Sequence, residues 1–73
     1  MNANALKSLM MEVREAWIVA DYSRISYLTE GAGFNTWGSG CDHEGREYIT
    51  IGVVDPNGAE NNYRGQINVT IFA

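Results

Sequence analysis

The feature that most constrains this chain is a pair of β-branched runs near its C-terminus. REYITIGVV (46–54) and RGQINVTIF (64–72) flank the turn-rich segment 55–63. Alternating apolar residues on both sides of a turn cluster mark a β-hairpin. Ile49, Ile51 and Val53 share one face of the first strand, and Ile67, Val69 and Ile71 share one face of the second. The opposite face carries Tyr48, Thr50, Gly52 and Val54 against Gln66, Asn68, Thr70 and Phe72. Pro56-Asn57-Gly58 supplies the fixed φ and the left-handed tolerance that the connecting turn needs. The final strand carries no charge or proline within 66–72, so it is expected either to be central or to pair with a second subunit.

A sheet with one apolar face needs a cover, and the N-terminal segment supplies a helix. Leu6, Met10, Val13, Trp17 and Ala20 recur at steps of four and three, with Leu9 and Ala16 beside them. Asn4 or Asn2 can cap it. Tyr27 and Leu28 rejoin the stripe, so the spacing predicts one helix over 4–28, with Gly31 as the latest stop. A competing reading ends the helix near Asp21 and makes 22–29 a strand, because Ser23, Ile25, Tyr27 and Thr29 alternate with Arg24, Ser26 and Leu28. The architecture expected is α+β: one N-terminal helix packed on about three antiparallel strands, with the C-terminal hairpin as core and the 73 residues as a single domain.

Size then bears on assembly. A chain of 73 residues hides only about 60% of the surface its unfolded form exposes. Below ~70–80 residues a lone core rarely supplies more than about 3–5 kcal/mol without disulfides, metal or association. The one cysteine, Cys41, excludes an internal disulfide. On a continuous helix Met11, Ile18, Tyr22 and Ile25 would form a second apolar stripe, with Val19 adding to it. Self-association is therefore expected, through that stripe or through Val69 and Ile71 of the terminal strand.

Charge narrows the partners. The net charge is −4, and the lone lysine and four arginines are scattered, so no basic face exists for a phosphate backbone or an acidic membrane. No apolar run approaches ~18 residues. The N-terminus lacks a signal-peptide pattern and the cysteine is unpaired, so a cytosolic location is expected.

Few residues offer chemistry. Cys41 and His43 would face the same way if extended, but a cysteine nucleophile also needs an oxyanion site and an orienting group. One Cys and one His in a single turn fall short of a zinc set. Gly31-Ala32-Gly33 and Gly38-Ser39-Gly40 match no phosphate-loop motif and read as a bending loop, in which 34–37 can form a short strand. No enzyme, metal or cofactor is expected. Trp37 is either a core plug or an exposed anchor, and the acidic residues Asp42, Glu44 and Glu47 suit a basic target.

The function expected is that of a small acidic protein that self-associates and binds or inhibits a partner protein. Trp37, Asp42, Glu44 and Glu47 are its partner-facing residues. By class-level analogy this is the design of short inhibitors that phages direct at host enzymes or defences. The alternative is an oligomer that sequesters a nucleotide or other anion, with Tyr22, Arg24, Gly33, Trp37 and Arg64 lining the site. A remote third reading is an enzyme built on Cys41 and His43.

Overall fold

The computed structural model describes residues 2–53 and 68–73. Two helices, α1 (Ala3–Ile18) and α2 (Tyr22–Gly31), precede strands β1 (Thr36–Cys41), β2 (Glu47–Gly52) and β3 (Asn68–Phe72). The strands form one antiparallel sheet in the order β1-β2-β3. The helices cover one face, α1 against β3 and α2 against β1. The α+β class, the N-terminal helix and the three-stranded sheet are as the sequence leads one to expect. The expected turn at 55–63, and with it Arg64 and Ile67, lies outside the described residues.

The single helix expected over 4–28 is instead two, and the break is built by backbone hydrogen bonds. Val19 caps α1, the amide of Ala20 donates to Trp17 O at 3.0 Å, and that of Asp21 donates to Ala16 O at 2.8 Å. This pair of bonds is the Schellman closure, which needs a left-handed residue, and Ala20 takes that role at φ 58°. Asp21 then starts α2, its carboxylate accepting from the Arg24 amide at 3.2 Å. The same closure ends α2: Gly33 donates to Glu30 O at 3.0 Å and Phe34 to Thr29 O at 2.9 Å, with Gly33 at φ 90°. So α2 runs to Gly31 itself, and the left-handed stop is Gly33. The strand reading of 22–29 is not what forms.

The core follows from these faces. Leu9, Val13 and Ala16 of α1, Ile25 and Thr29 of α2, Phe34, Ile49, Ile51 and Ile71 are buried. Leu6, Met10 and Trp17 are half-buried at its margin, and Ala20 lies outside the helix. Thr29 sits in this core because its hydroxyl donates to Ser26 O at 3.1 Å, and among the described residues no buried side-chain polar atom is stranded. The helix-facing side of the sheet is the one carrying Ile49, Ile51, Val69 and Ile71, as the alternation predicts. Truncating Ile49 or Ile51 to alanine is worth about 2–5 kcal/mol.

Candidate interaction surface

The short strand expected at 34–37 within a bending glycine loop forms at Thr36–Cys41, so the strand takes in Gly38-Ser39-Gly40. Thr36 to Cys41 pairs residue for residue with Gly52 to Glu47, so Gly38 and Gly40 lie in a ladder and not in a turn. Tyr48, directly across from Gly40, explains one of them: a methyl group at Gly40 would sit 3.2 Å from the Tyr48 hydroxyl. Gly38 and Gly40 leave the outer face of β1 bare, and Tyr48 leans into that space.

Both outer strands of this sheet are edges among the described residues. In an antiparallel ladder, residues alternate between pointing their amide and carbonyl at the neighbour and away from it. Asp42 N donates to Arg46 O at 3.0 Å, which sets the phase of the β1–β2 ladder. The amides and carbonyls of Trp37, Ser39 and Cys41 therefore point out of the sheet. Ala73 N donates to Glu47 O at 3.1 Å, which sets the phase on the other side and turns Asn68, Thr70 and Phe72 outward. The last strand is thus an edge, not the central strand that was one of the two expectations for it; β2 is central.

The two edges have different surroundings. At β3, Arg14 of α1 reaches across to donate its Nε–H to the Phe72 carbonyl at 3.2 Å. The Arg46 guanidinium lies 4.8 Å from the centre of the Phe72 ring. Lys7 and Arg14, with Met10 and the exposed Met11, line the groove beside Thr70, Ile71 and Phe72. At β1 the neighbours are Tyr22, Trp17 and Ile18, with the carboxylates of Glu30 beside Trp37 and of Glu47 at the far end. Tyr22 stacks on Trp37 with ring centres 6.0 Å apart and 17° between planes. Trp17 and Ile18 face Ser39, Gly40 and Cys41 across a shallow cleft that Glu47 and Ala73 complete.

Trp37 itself is neither a plug nor a free anchor. It is half-buried against the core, and its indole Nε1–H donates to Ser26 Oγ at 3.2 Å. Tyr22 and Ser26 stand four apart on one face of α2, which is why both reach it. Arg24 stands two residues from Tyr22 and points to another side of the helix. Of the residues expected to line a ligand site, the fold brings Tyr22 and Trp37 together, leaves Arg24 and Gly33 apart from them, and Arg64 lies outside the described residues.

The expected second stripe also divides. Met11 and Ile18, seven apart within α1, are both exposed, at 59% and 57%. Ile25, expected to continue that stripe, is completely buried. The break at 19–21 rotates α2, so the angular count carried across it does not hold, and Ile25 turns into the core. Tyr22 remains outward at 57%. Ile71 is likewise a core side chain and Val69 a half-buried one, so neither offers its side chain to a second subunit.

The acidic turn is a structural device. Asp42 to Gly45 form a type I turn followed by a left-handed glycine, Gly45 at φ 82°, with Gly45 N donating to Asp42 O at 3.0 Å. One Asp42 carboxylate oxygen accepts the amides of Glu44 and Arg46, both at 2.9 Å, and the other accepts Arg46 Nε–H at 2.8 Å. The Arg46 amide is the largest cause holding the Asp42 carboxyl below its ordinary pKa. Burial opposes it, and the Arg46 guanidinium and the Glu44 and Gly45 amides reinforce it. Glu44 also stands 3.4 Å from Arg46. Asp42 and Glu44 are thus turned toward Arg46. Cys41, where the turn begins, is ~13 Å along the strand from Trp37.

Cys41 and His43 are exposed, one at the end of β1 and the other in the turn. Among the described residues no group of three His, Cys, Asp or Glu side chains gathers to hold a metal ion, and no helix is long and apolar enough to cross a membrane. Comparison with protein-family models, curated proteins and solved structures finds no match to this chain.

Proposed function

We propose that this chain is a small acidic binding module that self-associates and acts by occupying a partner protein. The observation that carries this reading is the combination of an uncharged strand, β1, that is an edge among the described residues, with Ile18 and Tyr22 beside it, each 57% exposed. Val19 is 72% exposed at the end of α1, Met11 and Phe72 are exposed at the β3 edge, and Tyr27 is exposed on α2. A chain with so thin a core gains most by covering such groups. Inhibition by occupancy, as practised by short phage inhibitors, is the mode of action we assign to it. Size-exclusion chromatography with light scattering is the test: a dimer or larger species is expected, and a strict monomer at high micromolar concentration contradicts the self-association.

A second reading has one observation in its favour, the Tyr22–Trp37 stack with Ser26 between the helix and the strand. An aromatic pair with a hydroxyl beside it suits a planar ligand. A thermal-shift screen against nucleotides tests it, since a ligand at 100 times its Kd adds about 2.7 kcal/mol. A flat screen removes this reading and leaves the first intact.

A further inference from the structure

We propose that β1 is the surface on which a second copy of this chain docks, strand against strand and antiparallel, about a two-fold axis at Ser39. This rests on the self-association proposed above and gives it a place and a register. Only residues whose amides and carbonyls face outward can pair with an added strand, and on β1 these are Trp37, Ser39 and Cys41. A two-fold axis requires each pair to be matched by its own inverse. The register that uses all three residues sets Ser39 opposite Ser39 of the second copy and Trp37 opposite its Cys41. The two three-stranded sheets then run together as one.

The occupant is a second copy because the edge complements itself in both layers. In the sheet layer Thr36–Cys41 contributes no charge, so two chains each carrying −4 can meet there without setting like charges face to face. The carboxylates near the edge stand outside the strand: Asp42 beyond Cys41, held by Arg46, Glu30 on α2 and Glu47 on β2, a strand spacing of ~4.8 Å further in. In the helix layer, Tyr22 lies against Trp37 at one end of the edge and Ile18 lies by Ser39 to Cys41 at the other. An antiparallel copy sets the Ile18 end of one chain against the Tyr22 end of the other, so both apolar ends are covered together. At the β3 edge Arg14 already occupies the Phe72 carbonyl, the last outward acceptor of that strand. Pairing through β1 also leaves the outer face, with Gly38, Gly40, Tyr48 and Thr50, open on both copies for the partner.

The register makes the test specific. In this dimer the two Cys41 residues stand ~14 Å apart, beyond disulfide reach, whereas cysteines at 39 would lie ~5.5 Å apart between Cα atoms. The Cys41→Ser, Ser39→Cys double variant is expected to form a disulfide-linked dimer on mild oxidation, while wild type and the Cys41→Ser, Thr70→Cys variant stay uncrosslinked. Light scattering supplies the second arm: Ser39→Lys is expected to abolish the dimer and Thr70→Lys to leave it, with circular dichroism confirming that each is folded. Crosslinking at 70 and not at 39, or a dimer indifferent to Ser39→Lys, overturns the β1 interface while self-association stands. A wild type that is strictly monomeric overturns both and leaves the edge to a foreign strand.

Discussion

β1 and β3 flank the same central strand, and neither contributes a charged side chain between its first residue and its last. In sequence β3 looks the more exposed of the two, being β-branched and free of glycine. In the fold it is the protected one, because Arg14 arrives from the first helix, 58 residues away in sequence, to take its last outward carbonyl. Arg46 sits over the Phe72 ring at the same end. β1 receives Tyr22, Trp17 and Ile18 beside the carboxylates of Glu30 and Glu47, where β3 receives Lys7 and Arg14 beside Met10 and Met11. Edge protection by an inserted charge is a familiar device, and here the charge comes from a different element than the strand it protects. What makes an edge adhesive is thus decided by what the helix layer sets beside it.

The largest expected effect comes from removing the guard. Arg14→Ala frees the Phe72 carbonyl and takes a positive charge from the β3 edge, so each copy then has two open edges. Two open edges propagate where one closes. Light scattering should show species larger than a dimer, with visible aggregation at high concentration; an unchanged dimer would mean that Arg14 guards nothing.

The next effect is on β1, the strand proposed to pair. Gly45 holds the left-handed position closing the β1–β2 turn, and an alanine there costs roughly 1–2 kcal/mol. Chemical denaturation of Gly45→Ala should show that loss, and a change within error would remove the turn's claim to hold β1 in place. The opposite sign is expected at Ala20, which already bears a left-handed backbone. Ala20→Gly relieves that strain and should stabilise by about 0.5–1 kcal/mol, less whatever entropy the glycine adds to the unfolded chain. A destabilised Ala20→Gly would show that the corner between α1 and α2, which delivers Tyr22 to Trp37, is held by other means.

A smaller effect is expected with pH. The Asp42 carboxyl is held below its ordinary value, so its contribution to stability is present above the unfolded carboxylate pKa of ~3.9 and fades as pH falls through the folded value. Unfolding midpoints for wild type and Asp42→Asn should differ at neutral pH and converge in acid, and parallel curves would contradict this role. The smallest effect is with salt. Two chains of net charge −4 repel, so screening should tighten the dimer modestly, while a basic partner would bind more weakly. Sedimentation at two ionic strengths reads both signs.

The sheet was legible because a two-residue period survives only in a strand, and Ile49, Ile51 and Ile71 lie on the face that the alternation assigns. α1 was legible for the same kind of reason, and Asn2 caps it by accepting the Ala5 amide at 2.8 Å. The break after α1 was not. Its signal is an alanine in a position that glycine normally fills, and nothing in the composition around Ala20 announces a left-handed residue. That one missed corner rotated every assignment downstream on the helix, which is how Ile25 came to be expected at a surface and Tyr22 was credited to the wrong stripe. The glycines at 38 and 40 misled in the other direction, suggesting a bend where they form a bare face under Tyr48. The acidic turn was legible only in part, because the sequence sets Arg46 near three carboxylates but does not show that the turn folds it back onto Asp42.

Amide hydrogen exchange followed by NMR at low and high protein concentration tests the β1 assignment most directly. The amides of Gly38 and Gly40 face β2 and should be slow at both concentrations. Those of Trp37, Ser39 and Cys41 should exchange fast when dilute and become protected when concentrated, with Asn68 and Thr70 fast throughout. Protection that rises at Asn68 and Thr70 while Ser39 stays fast would place the second copy on the other edge and contradict the account.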